Sequence, residues 1–353
     1  MTLVPGLVLA LWMMPAMVLA EGLRVATWNV SLDRKGPGLL VRDLARGDDP
    51  QVAAAVRVMV ALDADVILLT VIDYDRAGVA LGLLADRLEA AGLSYPHRFA
   101  FPPNTGVQTG FDVDGDGQRG DPDDAQGFGL YTGHRAMAIL SRFPVDTGAA
   151  RDFSGFLWRD LPGALIPDGS DPGLMDVQRL ASTGFWDVPV VLPSGALHLL
   201  AFYATPPVFD GPDDRNGRRN HDEAAFWRLF LDGALPMAPP DRPFVLLGDA
   251  NLDPADGDGL RDGIAALLAH PALQDVRPKG THGRTEAGHS GDPALDTVLY
   301  SDIGGLRLDY VLPSAGLSVT GAGVLWPGPG DPLAADLAQV SKHFPVWVDI
   351  ELP

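Results

Sequence analysis

Apolar positions along the chain fall into short runs with two distinct periods. Leu23 to Val30 (LRVATWNV) alternates as a half-buried strand does, and Asp65 to Ile72 (DVILLTVI) is continuous, as in a strand covered on both faces. Between them, Asp49 to Leu62 sets Val52, Val56, Met59 and Val60 at helical spacing, with Asp48 or Asp49 ahead of Pro50 as a start signal. Val79 to Ala91 predicts a second helix, closed by Gly92. Further strands are expected at Met137–Leu140, Asp187–Leu192, Leu197–Tyr203, Phe244–Gly248, Leu306–Leu312, Gly321–Trp326 and Val346–Glu351, and helices at Asp222–Leu231 and Leu260–Ala269. Many strands and few helices along one chain predict an α/β fold of sheet packed on sheet with helices outside. No repeat or low-complexity linker divides it, so a single domain is expected over residues 22–353, with an Asp-rich loop insertion at 104–130.

The first twenty residues carry no charge, and Val18-Leu19-Ala20 offers small side chains ahead of Glu21-Gly22. This pattern predicts a signal peptide over 1–20 and an exported protein, periplasmic or secreted, although no Lys or Arg precedes Arg24. An uncleaved anchor is the rival, because the run reaches the roughly 20 residues that span a bilayer. Pro5 and Pro15 interrupt it and favour cleavage, after which no stable membrane association is expected.

Charge narrows the function classes. The 353 residues carry 46 acids, only five of them Glu, against 26 bases, only three of them Lys, for a net charge of −20. Such a field repels a nucleic-acid backbone unless the site is locally basic or holds a metal, and it excludes a polybasic binder. The absence of cysteine excludes disulfides, thiolate zinc sites and cysteine nucleophiles.

Chemistry concentrates at strand ends. Phe244 to Asn251 (FVLLGDAN) runs a buried strand into Gly248 and then presents Asp249 and Asn251, which point the same way in extended chain. Ala26-Thr27-Trp28-Asn29 ends the first strand on an amide. Leu308-Asp309-Tyr310 places a carboxylate within an apolar run, and Ser341-Lys342-His343 precedes the last strand. A buried Asp309 needs a partner, and His343 is the obvious one.

This order of motifs resembles the endonuclease/exonuclease/phosphatase superfamily over nearly the whole mature chain. The resemblance implies a DNase-I-like fold, two packed mixed β-sheets flanked by helices in a four-layer α-β-β-α sandwich. It also implies that strand ends gather around a phosphate and a divalent cation, Mg or Mn. By the same resemblance Asn29 and Asn251 would hold phosphate oxygens, Asp249 would align or deprotonate the attacking water, and His343, oriented by Asp309, would stabilise the charge of the transition state. Tyr203 falls where family members contact the scissile phosphate. Two positions depart from the pattern. The family's metal-binding Glu is here Val71, with Asp73 and Asp75 nearby as replacements, and the Asp of its Ser-Asp-His motif is Lys342, a candidate catalytic residue whose ammonium would supply part of the metal's positive charge beside the phosphate, unless Asp73 or Asp75 restores the metal and Lys342 faces solvent.

Two further segments invite a reading. Arg215, Arg218 and Arg219 form a basic stretch in an acidic chain, expected as a loop that either anchors substrate phosphate or pairs with Asp213, Asp214 and Asp222. Asp112, Asp114 and Asp116, with Gly117 and Asp123, follow EF-hand loop spacing, so the segment is either a bracing calcium site or a solvated Asp/Gly loop. His282, His289 and Asp292 form a looser polar cluster whose spacing implies no metal. The expected function is an exported hydrolase of phosphate esters, a phosphodiesterase or nuclease with a phosphate-ester substrate, nucleic acid included, and no protein partner. The alternatives are a weakly active or inactive calcium-braced binding module and a phosphomonoesterase acting on a small soluble phosphate.

Overall fold

A computed structural model describes residues 22–241 and 243–352; the expected leader at 1–20 lies outside the described residues. The strands are β1 (Gly22–Leu32), β2 (Val66–Ile72), β3 (His97–Phe99), β4 (Ala136–Ser141), β5 (Arg151–Asp152), β6 (Gly184–Leu192), β7 (Gly195–Tyr203), β8 (Phe244–Asp249), β9 (Val298–Tyr300), β10 (Gly304–Leu306), β11 (Asp309–Pro313), β12 (Ser318–Val324) and β13 (Val346–Glu351). The helices are α1 (Leu39–Arg46), α2 (Pro50–Leu62), α3 (Val79–Ala90), α4 (Pro172–Met175), α5 (Arg215–Leu231), α6 (Asp262–Leu268) and α7 (Leu333–Val340). A six-stranded sheet runs β12-β13-β1-β2-β4-β3 and a five-stranded sheet runs β11-β8-β7-β6-β5, with β9 and β10 as a separate hairpin. Both sheets are mixed: β1–β2 and β7–β8 are parallel and the other pairs antiparallel.

Alternation within the second sheet decides which side chains meet the first. Leu197, Leu199, Ala201 and Tyr203 of β7, Val245 and Leu247 of β8 and Val311 of β11 share one core with the six-stranded sheet. The intervening Leu200, Phe202, Phe244, Leu246, Tyr310 and Leu312 pack instead with Phe226, Trp227 and Phe230 of α5 and Ile264 and Leu267 of α6. The period of two therefore carries Tyr203, Asp249 and Asp309 onto the face between the sheets.

Helix α2 starts as its sequence directs, with Asp49 accepting a hydrogen bond from the Val52 amide at 2.9 Å and Pro50 in the first turn. Helix α5 begins seven residues before the expected Asp222 and absorbs the arginine stretch expected as a loop. The run Leu306–Leu312, expected as one strand, is split at Arg307-Leu308 between β10 and β11. Among the described residues no helix is long and apolar enough to cross a membrane.

Candidate active site

Strand register assembles the floor of the site. Asp309 pairs with Asp249 across β11 and β8, and Tyr203 pairs with Asp249 across β7 and β8, so three polar side chains sit abreast at one sheet end. Gly248, at φ 151°, is required there: a Cβ would lie 1.8 Å from the Phe202 carbonyl oxygen. Asn251 follows in the left-handed region at φ 49°, which Asn tolerates better than most residues.

The first sheet supplies the other half. Asn29 Nδ2 donates to Asp249 Oδ2 at 3.0 Å, and Asn29 Oδ1 accepts from Ser31 Oγ at 3.2 Å. His343 Nδ1 lies 2.8 Å from Asp309 Oδ2 and 3.9 Å from Asp249 Oδ2. The His343 main chain is pinned on both sides, its carbonyl accepting from Trp28 Nε1 at 3.0 Å and its amide donating to Ser341 Oγ at 3.0 Å. Asp309 Oδ2 also accepts from Thr297 Oγ1 at 2.8 Å. Asn251 donates its amide to Asp249 Oδ1 at 2.9 Å and its side chain to the Ala204 carbonyl at 2.9 Å. Asn29, Tyr203, Asp249, Asn251, Asp309 and His343 thus share one buried cluster.

Burial and the neighbouring Asp309 raise the Asp249 pKa above the carboxylate range, against the pull of His343 and Asn29. Burial opposes protonation of His343, but Asp309 and Asp249 outweigh it and raise its pKa. Burial also pushes the Tyr203 hydroxyl well up, so it stays a neutral donor.

The positions that depart from the family pattern have distinct fates. Val71 adopts φ 56°, disfavoured for a β-branched residue, at a register shift shared with the Asn29–Leu32 segment, and its side chain is buried in the core. Neither proposed replacement reaches the floor cluster. Asp73 accepts from the Arg34 amide at 2.8 Å and the Arg135 amide at 3.4 Å. Asp75 caps α3, accepting from the Val79 and Ala80 amides at 2.8 Å each. Lys342 is exposed, with Nζ 5.1 Å from the Tyr300 ring centroid.

The arginines of this stretch bond within the fold. Arg219 is buried and donates to the carbonyls of Leu180, Gln126 and Arg179; Arg215 donates to Gln178 Oε1 at 2.7 Å; Arg218 donates to the Asp213 carbonyl at 3.0 Å. The Asp-rich loop is shifted by one residue from its expected pattern. Ligand atoms of Asp112, Asp114 and Asp124 lie within 4.8 Å of one another, as do those of Asp114, Asp116 and Asp121, whereas Asp123 belongs to neither group. Asp121 Oδ1 accepts from the amides of Asp123 and Asp124, a turn that directs the buried Asp124 inward to accept from Val113 and Gly120.

Three contributors were missed in the sequence. Thr297, which holds Asp309, and Tyr300, whose hydroxyl is 3.4 Å from His343 Nε2, lie on or beside the short β9. Arg135, at φ 55°, precedes β4; its Nε is buried without a hydrogen-bond partner, 3.5 Å from Asp33 Oδ2. Tyr203, Asp33, Tyr300 and Asp249 together raise its pKa, while burial opposes them. A polar residue ahead of an apolar strand was the available signal for Arg135.

Two adjoining clefts border this cluster, one at Asn251 and one at Tyr203. One, of about 640 Å³, is lined by Asn251, Tyr300 and Lys342; the other, of about 400 Å³, by Arg135 and Tyr203. They share Pro206, Val208 and Phe209. Asp249, Asp309 and His343 each offer a ligand atom within 4.8 Å of the others, and Asp309 Oδ1 is buried with no hydrogen-bond partner. Two carboxylates and an imidazole are donors that fit a divalent cation.

Comparison with known proteins bears on the family and the fold. The model of the endonuclease/exonuclease/phosphatase family matches residues 26–343. Solved structures similar to the chain include an endonuclease/exonuclease/phosphatase from Beutenbergia cavernae DSM 12333 (21% identity, TM-score 0.55, covering 94% of this chain and 72% of that one). Sphingomyelinase C from Streptomyces griseocarneus is also similar (18% identity, TM-score 0.50, 93% and 99% covered). So is a beta toxin mutant from Staphylococcus aureus with bound magnesium ions (13% identity, TM-score 0.50, 93% and 99% covered). The structural superpositions show a shared fold. A search of curated proteins finds no significant match.

Proposed function

The chain belongs to the endonuclease/exonuclease/phosphatase family of phosphoric ester hydrolases, and from that premise we propose that it is an exported phosphodiesterase whose substrate carries a neutral or apolar alcohol group. The observation that carries this reading is the pair of adjoining clefts that border the buried cluster, one at Asn251 and the other at Tyr203. They leave room for an organic group on each side of a phosphorus, as a diester requires and a monoester does not. The larger cleft is lined by Asp253, Asp256, Asp258, Glu286 and Asp302 against Arg261 and Lys342, which disfavours a long polyanion such as DNA. Its rim instead exposes Phe209 and Ile303. Export rests on the uncharged apolar leader.

In the proposed reaction, ionised Asp249 takes a proton from water as its oxygen bonds to phosphorus, the bond to the alcohol oxygen breaks, and solvent protonates the departing alkoxide. Protonated His343, held by Asp309, faces the negative charge that builds on the phosphoryl oxygens, with Asn29, Asn251, Tyr203 and Arg135 as further donors. A divalent cation, Mg or Mn, held by Asp249 and Asp309 would add positive charge beside those oxygens. Calcium in the 112–124 loop is proposed only as a brace. The test is a panel of bis(p-nitrophenyl) phosphate, p-nitrophenyl phosphate and DNA, each with and without EDTA. The diester is expected to turn over fastest and DNA slowest; a monoester that outpaces the diester overturns the proposal.

A further inference from the structure

A second imidazole lies among carboxylates on the wall of the larger cleft. His289 Nε2 is 3.2 Å from Asp296 Oδ1 and 3.4 Å from Asp256 Oδ2. Glu286 completes the group, with ligand atoms of Glu286, His289 and Asp296 all within 4.8 Å of one another. Asp292, which the sequence places near His289, is instead bound to Lys279 at 2.7 Å.

Three features distinguish this cluster from an ordinary charged surface. The side chains of His289 and Asp296 are only 6% and 4% exposed. Backbone amides satisfy the neighbouring carboxylates: Asp256 accepts from Ser290 and Gly291 at 2.8 Å each, and Asp253 accepts from Ala255 and Arg307 at 2.6 Å each. Among the described residues, by contrast, His289 is the one donor that approaches the Asp296 carboxylate, and a buried carboxylate with so little compensation is costly. Finally, Gly304 and Gly305 make the cradle. A Cβ on Gly304, which has φ 88°, would lie 1.8 Å from Glu286 Oε1, and a Cβ on Gly305 would lie 2.1 Å from Asp296 Oδ2. Both carboxylates sit in space that only glycine leaves open.

We propose that Glu286, His289 and Asp296 bind a divalent transition-metal ion, Mn²⁺ or Zn²⁺, at a site separate from the catalytic floor. Two carboxylate oxygens and one imidazole nitrogen suit these ions better than Mg²⁺ or Ca²⁺, which prefer oxygen alone. The ion gives the buried Asp296 its missing counter-charge. It also places positive charge on a cleft wall that otherwise carries Asp253, Asp256, Asp258 and Asp302. The site does not depend on which ester is cleaved.

The experiment is titration of the EDTA-stripped chain with MnCl₂, with bound Mn²⁺ followed by electron paramagnetic resonance and Zn²⁺ added as competitor. A nitrogen coupling on the bound ion is expected, present in His343→Gln and lost in His289→Gln. Glu286→Gln keeps an oxygen that can accept the Gly305 amide bond and so tests the site should His289→Gln fail to fold. Its affinity is expected to fall ~10-fold or more, since even outer-shell changes cost that much. Uptake of Mn²⁺ that is identical in wild type, His289→Gln and Glu286→Gln, or absent from the wild type, overturns the proposal and leaves the cluster an internal ion pair.

Discussion

The two imidazole–carboxylate clusters of this molecule are built from similar parts to different ends. On the floor, strand register sets Asp249 and Asp309 side by side, and His343 is committed to one of them at 2.8 Å while the other stands 3.9 Å away. On the wall, loop residues place His289 almost evenly between Asp296 and Asp256, at 3.2 and 3.4 Å. In both, burial and like charge raise a carboxyl pKa, that of Asp249 through Asp309 and that of Asp296 through Asp253 and Glu286. An imidazole tied to one carboxylate is oriented and leaves the second to other donors, here Asn29 and the Asn251 amide. One shared between carboxylates marks a concentration of donors around a point. Asymmetry suits proton and charge transfer, and symmetry suits holding an ion.

The sharpest way to break this contrast is at the floor. His343→Ala is expected to lower kcat/KM on a diester by ~10³-fold or more, within the range for loss of a positioned acid–base group. An active variant would remove His343 from the reaction. Asp249→Asn should cost about as much, and it carries a pH signature. Because the folded state raises the Asp249 pKa, it retains a proton that the unfolded chain releases, so this group makes stability fall as pH rises from the ordinary carboxylate range toward the raised value. The melting temperature of Asp249→Asn relative to wild type should therefore improve between pH 5 and pH 8. A difference that is flat or declines over this interval means that Asp249 ionises normally. In wild type, activity should rise with pH as Asp249 ionises and fall above the ordinary histidine range as His343 loses its proton.

A smaller effect separates the two cations near the site. Arg135 has a buried Nε that makes no hydrogen bond and is paired only with Asp33 at 3.5 Å, and Tyr203 and Asp249 act on its guanidinium, whereas Lys342 stands exposed over Tyr300. Removal of a donor aimed at developing charge costs ~10²–10³-fold in related settings, so Arg135→Ala should lower kcat by ~10²-fold and Lys342→Ala by less than ~10-fold. The reverse order would return to Lys342 the role of compensating for the carboxylate that Val71 replaces.

The difference between floor and wall also explains what the sequence disclosed. Asp249, Asn251 and Asp309 were legible because each interrupts or closes an apolar run, and His343 because it precedes the last one as the partner a buried Asp309 needs. Arg135 had only its place ahead of an apolar strand, and Tyr300 no signal at all, since each reaches the centre from a short or strained segment whose direction depends on tertiary packing. The start of α5 was hidden for another reason. Its first turns are polar yet buried: Arg219 binds main-chain carbonyls, Asn220 donates to the Thr205 and Ala250 carbonyls, and Asp222 accepts from Trp158 and Leu165. A pattern that assumes polar side chains face water assigns such residues to a loop. Val71 was legible as a departure, but not that its backbone turns into the left-handed region there.

The smallest expected effect concerns the Asp-rich loop, the exposed counterpart of both buried clusters. Its carboxylates mostly bind their own amides, Asp112 accepting from Gly115 at 2.8 Å and Gly117 at 2.9 Å, so the loop holds its shape through backbone bonds. An ion there adds stability only by mass action, about 2.7 kcal/mol when calcium is at 100 times its Kd, which in a chain of this size raises Tm by a few degrees. Calcium added to EDTA-treated protein should produce that rise in wild type. The one-residue shift makes the test specific: Asp124→Asn should abolish the rise, because Asp124 shares a ligand group with Asp112 and Asp114, whereas Asp123→Asn should retain it. Because Asp124→Asn leaves Glu286, His289 and Asp296 intact, a calcium response that survives it belongs to another site. A melt that calcium does not move in any of the three proteins makes the loop a solvated turn stabilised by its own amides.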